Sequence, residues 1–134
     1  MAYADISENA KQCFNAAEKF LAEGNVRSFI KQKFSFVGKS GNYTDFDCVH
    51  GINVMMFFEG SGISGYYSYS KSPEHRINFR GQWYSNDSLY LEEQTKEGWI
   101  NYTFKGIMKD GHIKGLWSKG QDKKGFAFYA TEKK

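Results

Sequence analysis

The sequence has few of the residues that break strands or build metal and disulfide sites. Proline occurs once, as Pro73, and the two cysteines, Cys13 and Cys48, lie far apart with no metal-ligand spacing. We expect reduced thiols, or a single disulfide if the protein is exported. No stretch approaches the run of about 18 apolar residues that a membrane-spanning helix needs. The sequence therefore excludes a disulfide-rich scaffold and predicts no spanning helix.

Charge of one sign is also scarce, because the net charge is only +3. Residues 1–104 hold ten basic and twelve acidic side chains, whereas residues 105–134 hold eight lysines and three acids. The lysine cluster would either attract an anionic partner or keep exposed strands solvated. No signal peptide precedes the chain as written, which predicts a cytoplasmic protein. Ala2-Tyr3-Ala4 resembles the end of a cleaved signal, so a periplasmic or secreted location stays open.

Aromatic residues, in contrast, make up 18% of the chain, and they alternate with polar residues from about 34 to 131. The stretch ISGYYS at 63–68 recurs as IKGLWS at 113–118, and FRG at 79–81 recurs as FKG at 104–106. A glycine in the apolar phase of a strand lets a sheet bend until it closes. The pattern predicts a mainly β protein with a single antiparallel up-and-down barrel.

Nine runs read as strands, which gives about eight or nine strands in the barrel. They lie at 32–38, 43–49, 52–59, 63–70, 76–84, 88–94, 99–108, 112–119 and 124–131. Short turn signals separate them, and the sharpest is Asp110-Gly111. Connections this short predict that successive strands are antiparallel neighbours.

The N-terminal segment has the one helical pattern of the chain. Asp5 is its expected cap, and an apolar stripe at three- and four-residue spacing follows until Gly24. Residues 26–31 are expected to add a short second turn. We thus assign residues 1–31 to a helix and linker that dock on the barrel or plug it. Residues 32–134 form the barrel of the same structural domain.

Period-two alternation predicts which side chains point into the barrel. Six inward positions carry large or charged side chains with polar tips: Tyr67, Tyr69, Trp83, Glu93, Tyr102 and Trp117. A buried hydroxyl or indole N–H needs a partner. These tips would either satisfy one another in a filled barrel or line a site for a small ligand. We take them as the candidate ligand-binding residues.

The outward phase holds a second candidate set of apolar side chains: Met55, Phe57, Tyr66, Leu116 and Tyr129. If their strands lie close together, these residues form one patch. The N-terminal helix would cover the patch, burying Phe14, Ala17 and Leu21 against it. If the helix plugs the barrel end instead, the patch would bind a protein partner.

The strand sequences resemble those of small bacterial lipocalin-like and avidin-like barrels of the calycin type. The resemblance lies in the segments at 65–69, 77–81, 89–93, 104–106 and 113–117, and it spans residues 34–131. It implies a barrel that binds ligands, although many such proteins have no known activity. The residues near 34–42 do not reproduce the biotin contacts of avidins, and the Gly-x-Trp of true lipocalins is missing, so biotin is not expected.

Catalytic and metal-binding patterns are weak. His50, His75 and His112 lie in separate segments without a nucleophile or carboxylate at a spacing that implies a shared site. Only Glu93 acting with a tyrosine, or a Cys48–His50 pair, would give an activity. We therefore predict no enzyme, no cofactor and no metal site.

The expected function is that of a non-catalytic binding protein, monomeric or homodimeric, that recognises a small apolar or aromatic ligand or a protein partner. The alternative is an immunity protein that neutralises a bacterial toxin by direct binding, since the lysine-rich C-terminal part suits an acidic partner. The weak net charge does not favour a nucleic-acid partner.

Overall fold

The computed structural model describes residues 8–42, 50–95, 98–119 and 125–133. These residues form one helix and eight strands: α1 (Glu8–Glu18), β1 (Phe29–Asn42), β2 (His50–Gly60), β3 (Gly62–Tyr69), β4 (Ile77–Trp83), β5 (Ser88–Thr95), β6 (Gly98–Lys109), β7 (His112–Lys119) and β8 (Gly125–Glu132). The expected strand at 43–49 and the Asp5 cap lie outside the described residues. In the described part of the chain, no helix has both the length and the apolar character that a membrane span requires.

The strands form a closed antiparallel barrel in sequence order, which confirms the predicted fold class. Each strand pairs with the next, and β1 pairs with both β2 and β8. Gly38 of β1, for example, lies opposite Ile52 on one side and Ala130 on the other. The turn at Asp110-Gly111 joins β6 to β7, and both of its residues have positive φ angles, as tight hairpin turns require.

The two ends of the barrel are formed by different turns. We call the end that carries the turn at 60–62 and the start of β5 the lower end. The end where β3 finishes at Tyr69 and where Phe126 pairs with Asn42 is the upper end.

Large apolar side chains fill the space between the ends. Phe79, Phe104, Trp117 and Phe128 are almost completely buried, and the rings of Phe104 and Phe128 each lie within 6.1 Å of Trp117. The inward phase predicted from alternation therefore forms the core. Because these rings occupy the middle of the barrel, the polar groups of the interior lie mainly toward its ends.

The helix α1 packs on the outside of the barrel, over β6, β7 and β8. Cys13 of the helix forms a small second core with Leu116 and Ala127 of the barrel wall. Gln12 also accepts a hydrogen bond from the Lys114 ammonium. Of the two arrangements considered for the N-terminal segment, the structure thus has the helix on the wall.

Two local predictions for the N-terminal segment were wrong. The helix ends at Glu18 rather than near Gly24, and residues 26–31 form no helical turn, because β1 begins at Phe29. Val26 instead pairs with Tyr84. These backbone groups hydrogen bond to the barrel, so they are not available for a helix.

The segment between α1 and β1 closes the lower end. The Arg27 N–H donates to the Trp83 carbonyl at 2.8 Å, and the Arg27 guanidinium lies 3.9 Å from the centre of the Trp83 ring. The same guanidinium forms an ion pair with Asp87 at 2.5 Å. On the inner side, the Phe29 ring stacks on Trp83 with 5.8 Å between centroids. The lower end is therefore sealed by aromatic and charged contacts.

Candidate functional site

Five of the six inward residues with polar tips meet toward the upper end of the barrel. Tyr67 and Tyr69 lie on β3, and Glu93, Tyr102 and Trp117 lie on β5, β6 and β7. Tyr67 interacts electrostatically with Tyr69, Glu93 and Tyr102, and its ring centroid lies 5.6 Å from that of Trp117. Strands that are distant in sequence thus bring these side chains together inside the barrel. We call these five residues the upper site.

Trp117 forms the floor of the upper site. Its side chain is completely buried, with Tyr67, Phe79, Phe104 and Phe128 around it. Its Nε1 is also buried and has no hydrogen-bond partner in the described part of the chain. A buried indole N–H usually finds an acceptor, and leaving it without one costs about 1–3 kcal/mol. Within the described part of the chain, the upper site therefore includes a donor without an acceptor next to aromatic rings.

Glu93 lies above this floor and points inward, half-buried. Desolvation by burial raises the pKa of its carboxyl above the ordinary value of 4.5. Within the described residues, Glu93 forms no ion pair and no hydrogen bond. The adjacent Glu92 points outward and binds both Arg80, at 3.3 Å, and Tyr90, at 3.2 Å. Of these two neighbouring carboxylates, then, only the outward one is neutralised by a cation.

Two phenols of the upper site, Tyr67 and Tyr69, are neutral hydrogen-bonding groups at ordinary pH. Burial raises the pKa of Tyr67 far above its usual value, and the nearby Tyr69, Glu93 and Tyr102 add to this rise. Burial also raises the pKa of Tyr69, although a hydrogen bond with Ser40 opposes the change. Tyr69 and Tyr102 are only partly buried, so solvent reaches this edge of the site.

Two residues at this edge were not among the predicted site residues. Ser40 hydrogen bonds to Tyr69, and the His50 ring lies 6.2 Å from the Tyr69 ring. Ser40 and His50 face each other in the β1–β2 pairing. Extending the inward phase back from Ile52 would have found His50, and extending it forward from Phe36 would have found Ser40.

Trp83, the sixth predicted lining residue, lies at the opposite end of the barrel. It pairs with Leu89 where β4 meets β5, and its Nε1 donates to the Met108 carbonyl at 3.0 Å. With Phe29 and Phe34 it borders a small cavity of about 120 Å³ at the lower end. Its polar tip is satisfied within the protein. Trp83 is therefore not part of the upper site, because alternation gives the face of a strand but not the height within the barrel.

The five residues of the predicted outer patch are divided between two parts of the wall. Leu116 is buried beneath α1, and Tyr129 packs against the same small core. Met55 lies opposite Tyr66 on the β2–β3 pair, and Phe57 is 39% exposed beside them. The curvature of the closed barrel turns β7–β8 and β2–β3 toward different sides. The helix thus covers only the β7–β8 part, and Leu21, expected under it, is exposed.

The described residues contain no group of three or more His, Cys, Asp or Glu side chains that could hold a metal ion. His112 lies on the outer wall, 3.1 Å from the Thr131 hydroxyl. Cys48 lies outside the described residues. The chemistry that the upper site offers is thus hydrogen bonding by phenol and indole groups, together with one carboxyl.

Comparison with known proteins found no relative of this chain. No protein-family model matches the chain, and none of the curated proteins or solved structures matches it either.

Proposed function

We propose that this protein is a non-catalytic binding protein that holds a small aromatic or apolar molecule in the upper site. The observation that carries the proposal is the Trp117 Nε1, a fully buried donor without an acceptor among the described residues. A ligand that places an acceptor atom or a π face in line with the Nε1–H bond would satisfy it. Such a contact would remove the cost of burying this N–H without an acceptor, and it would therefore favour binding.

The surroundings of Trp117 suit this type of ligand. Rings within 6.4 Å of it provide flat apolar surface, and the half-buried Tyr69 and Tyr102 lie between that surface and solvent. Ligand sites in proteins are typically apolar, with a few polar groups that fix orientation. An eight-stranded barrel is wide enough to hold one small ligand at its mouth. We therefore assign the barrel to the calycin type as part of this proposal.

Native mass spectrometry of the gently purified full chain tests the proposal. We expect a population heavier than the bare protein by the mass of one small molecule, which organic extraction then releases. Trp117→Phe keeps the ring surface and removes the N–H, so it should retain less of that molecule. Bare protein mass alone, in both wild type and variant, would count against small-ligand binding.

A second candidate function rests on the outer wall formed by β1, β2 and β3. Val37 and Phe57 are 41% and 39% exposed there. A groove of about 440 Å³ beside Phe57 is lined by two lysines, Lys31 and Lys33, and by one acid, Glu59. Apolar side chains flanked by lysines suit an acidic protein partner with an apolar centre, as expected for an inhibitor of a bacterial toxin.

A toxin-protection assay tests this second function separately from small-ligand binding. If the genome encodes a toxin domain beside this chain, co-expression of the wild type should protect cells from it. Phe57→Asp places an acid in the groove and should abolish protection without unfolding the exposed strand surface. Asn78→Asp adds the same charge on the exposed face of β4 and serves as the matched control. Equal protection by both variants would exclude the outer wall as the binding surface.

A further inference from the structure

We propose that the ligand of the upper site is an organic ammonium ion, a protonated or quaternary amine with an aromatic or apolar body. This inference rests on the proposed small-ligand function and specifies its chemical class. It is carried by Glu93, which lies opposite the inward Phe79, interacts electrostatically with Tyr67 and Tyr69, and has no cationic partner in the described part of the chain.

The contrast with two outer carboxylates of the barrel, Asp87 and Glu92, is informative. Asp87 is paired with Arg27, and Glu92 is paired with Arg80, although both pairs lie near solvent. Glu93 is the inward carboxyl of the upper site, where a compensating charge has a large effect because the local dielectric is lower. Among the described residues, those that interact electrostatically with Glu93 are the Tyr67 and Tyr69 phenols, which can hydrogen bond but cannot neutralise it. A cationic group on the ligand would neutralise the carboxylate.

The aromatic surroundings favour an organic ammonium over a metal ion. Ammonium groups bind to the faces of tyrosine and tryptophan rings, and aromatic cages with a nearby carboxylate are a common way to recognise them. The barrel already forms such contacts on its surface, where Arg76 lies 4.2 Å from the centre of the Tyr66 ring. In the upper site, Tyr67 and Tyr69 lie edge to face, with 6.1 Å between centroids. Metal ions prefer several oxygen or nitrogen ligands, and one carboxyl does not supply them.

The arrangement also predicts how the ligand is oriented. Glu93, Tyr69 and Tyr102 form the partly exposed rim, and Trp117 forms the buried floor. The ammonium group would therefore lie at the rim, where it can stay in contact with water. The apolar body would point inward to the Trp117 indole.

Calorimetric titration of the full chain with two matched probes tests the inference. The probes are 2-phenylethylamine, which is an ammonium ion at neutral pH, and 2-phenylethanol, which has a similar shape but no charge. We expect the amine to bind at least tenfold more tightly than the alcohol. Glu93→Gln should remove this preference, whereas Glu92→Gln, which changes the adjacent outward carboxyl, should leave it unchanged.

The outcomes separate this inference from the proposed function. Equal binding of amine and alcohol, or a preference that survives in Glu93→Gln, overturns the ammonium class and leaves small-ligand binding standing. The same holds if the molecule that copurifies with the chain carries no cationic nitrogen. Failure of the wild type to bind 2-phenylethylamine also overturns the inference. Near-ultraviolet circular dichroism of Glu93→Gln checks that the aromatic core is intact.

Discussion

Gly106 of β6 lies directly opposite Gly115 of β7 in the barrel wall. A Cβ atom on Gly115 would come within 2.7 Å of the Gly106 Cα and within 2.5 Å of both the Lys105 carbonyl oxygen and the tip of the Phe104 ring. The missing side chains let the two strands bend sharply, and they leave the space that Phe104 fills. This pair therefore connects the closure of the sheet with the packing of the aromatic core.

Gly115→Ala should destabilise the protein by about 1–3 kcal/mol, because backbone and a buried ring would have to move. Gly62→Ala is the matched control, since the nearest atom to its Cβ is 3.9 Å away. The control should change the free energy of unfolding by less than about 0.5 kcal/mol. Denaturant unfolding measures both. Equal stability of the two variants would contradict the role given to the inward glycines.

Leu116→Ala should lower the free energy of unfolding by about 2–3 kcal/mol, because Leu116 is buried between the outer wall of the barrel and α1. Phe57→Ala provides the comparison, as Phe57 also points outward but is 39% exposed. Its truncation should cost less than about 1 kcal/mol. Both values come from urea unfolding. A larger cost at Phe57 than at Leu116 would mean that the helix does not dock over β7.

Arg27→Ala should destabilise the protein by about 1–2 kcal/mol, because it removes the contact with the Trp83 ring and the ion pair with Asp87. Arg80→Ala, at a half-exposed ion pair with Glu92, should cost less. The Trp83 indole should also become more exposed in Arg27→Ala, which hydrogen exchange of its Nε1 would detect. Unchanged exchange would mean that the segment before β1 does not seal the lower end.

The pH dependence of stability should report on the ionisation of the Glu93 carboxyl. Because burial raises its pKa in the folded state, the folded protein holds the carboxyl proton more tightly than the unfolded chain. The contribution of Glu93 to stability is therefore fully present below the ordinary value of 4.5 and is lost as pH rises through the raised pKa. The facing phenols of Tyr67 and Tyr69 have raised pKa values and stay neutral over this range.

Glu93→Gln should remove this decrease, so its stability relative to wild type should grow between about pH 4.5 and neutrality. Chemical unfolding at a series of pH values measures the difference. Glu92→Gln loses its contacts with Arg80 and Tyr90 and should show no such gain. A wild type and a Glu93→Gln variant with parallel pH profiles would show that the inward carboxyl is not desolvated.

The sequence was sufficient to predict the barrel and the faces of its strands. Alternation identified the inward phase that holds Tyr67, Phe79 and Trp117, and glycines within that phase indicated closure. Alternation did not predict the position of each residue along the barrel axis, because that position depends on how far each strand is shifted relative to its neighbour. For this reason Trp83 was grouped with Tyr67, although the pairing of β3 with β4 places Trp83 level with the turn at 60–62.

The outer wall was predicted less well, because tertiary contacts determine it. Leu116 and Phe57 have the same outward phase, and only the position of α1 decides that one is buried and the other is exposed. The end of the helix was likewise set by contacts rather than by the Gly24 signal. The Leu21 N–H donates to the Ser88 hydroxyl, and the Phe20 ring packs against Tyr84 and Tyr90, so the chain leaves the helix to follow the wall.

The Trp117 indole N–H offers the most direct test of the account. In ¹⁵N-labelled full chain, its Nε1–H resonance can be assigned among the three tryptophans by comparison with Trp117→Phe. Titration with single-ring aromatic compounds, including 2-phenylethylamine, should shift this resonance in a saturable manner and slow its exchange with solvent. If no compound moves it, and the resonance already exchanges as slowly as that of the hydrogen-bonded Trp83, then the buried donor is satisfied within the protein and the upper site is not a ligand site.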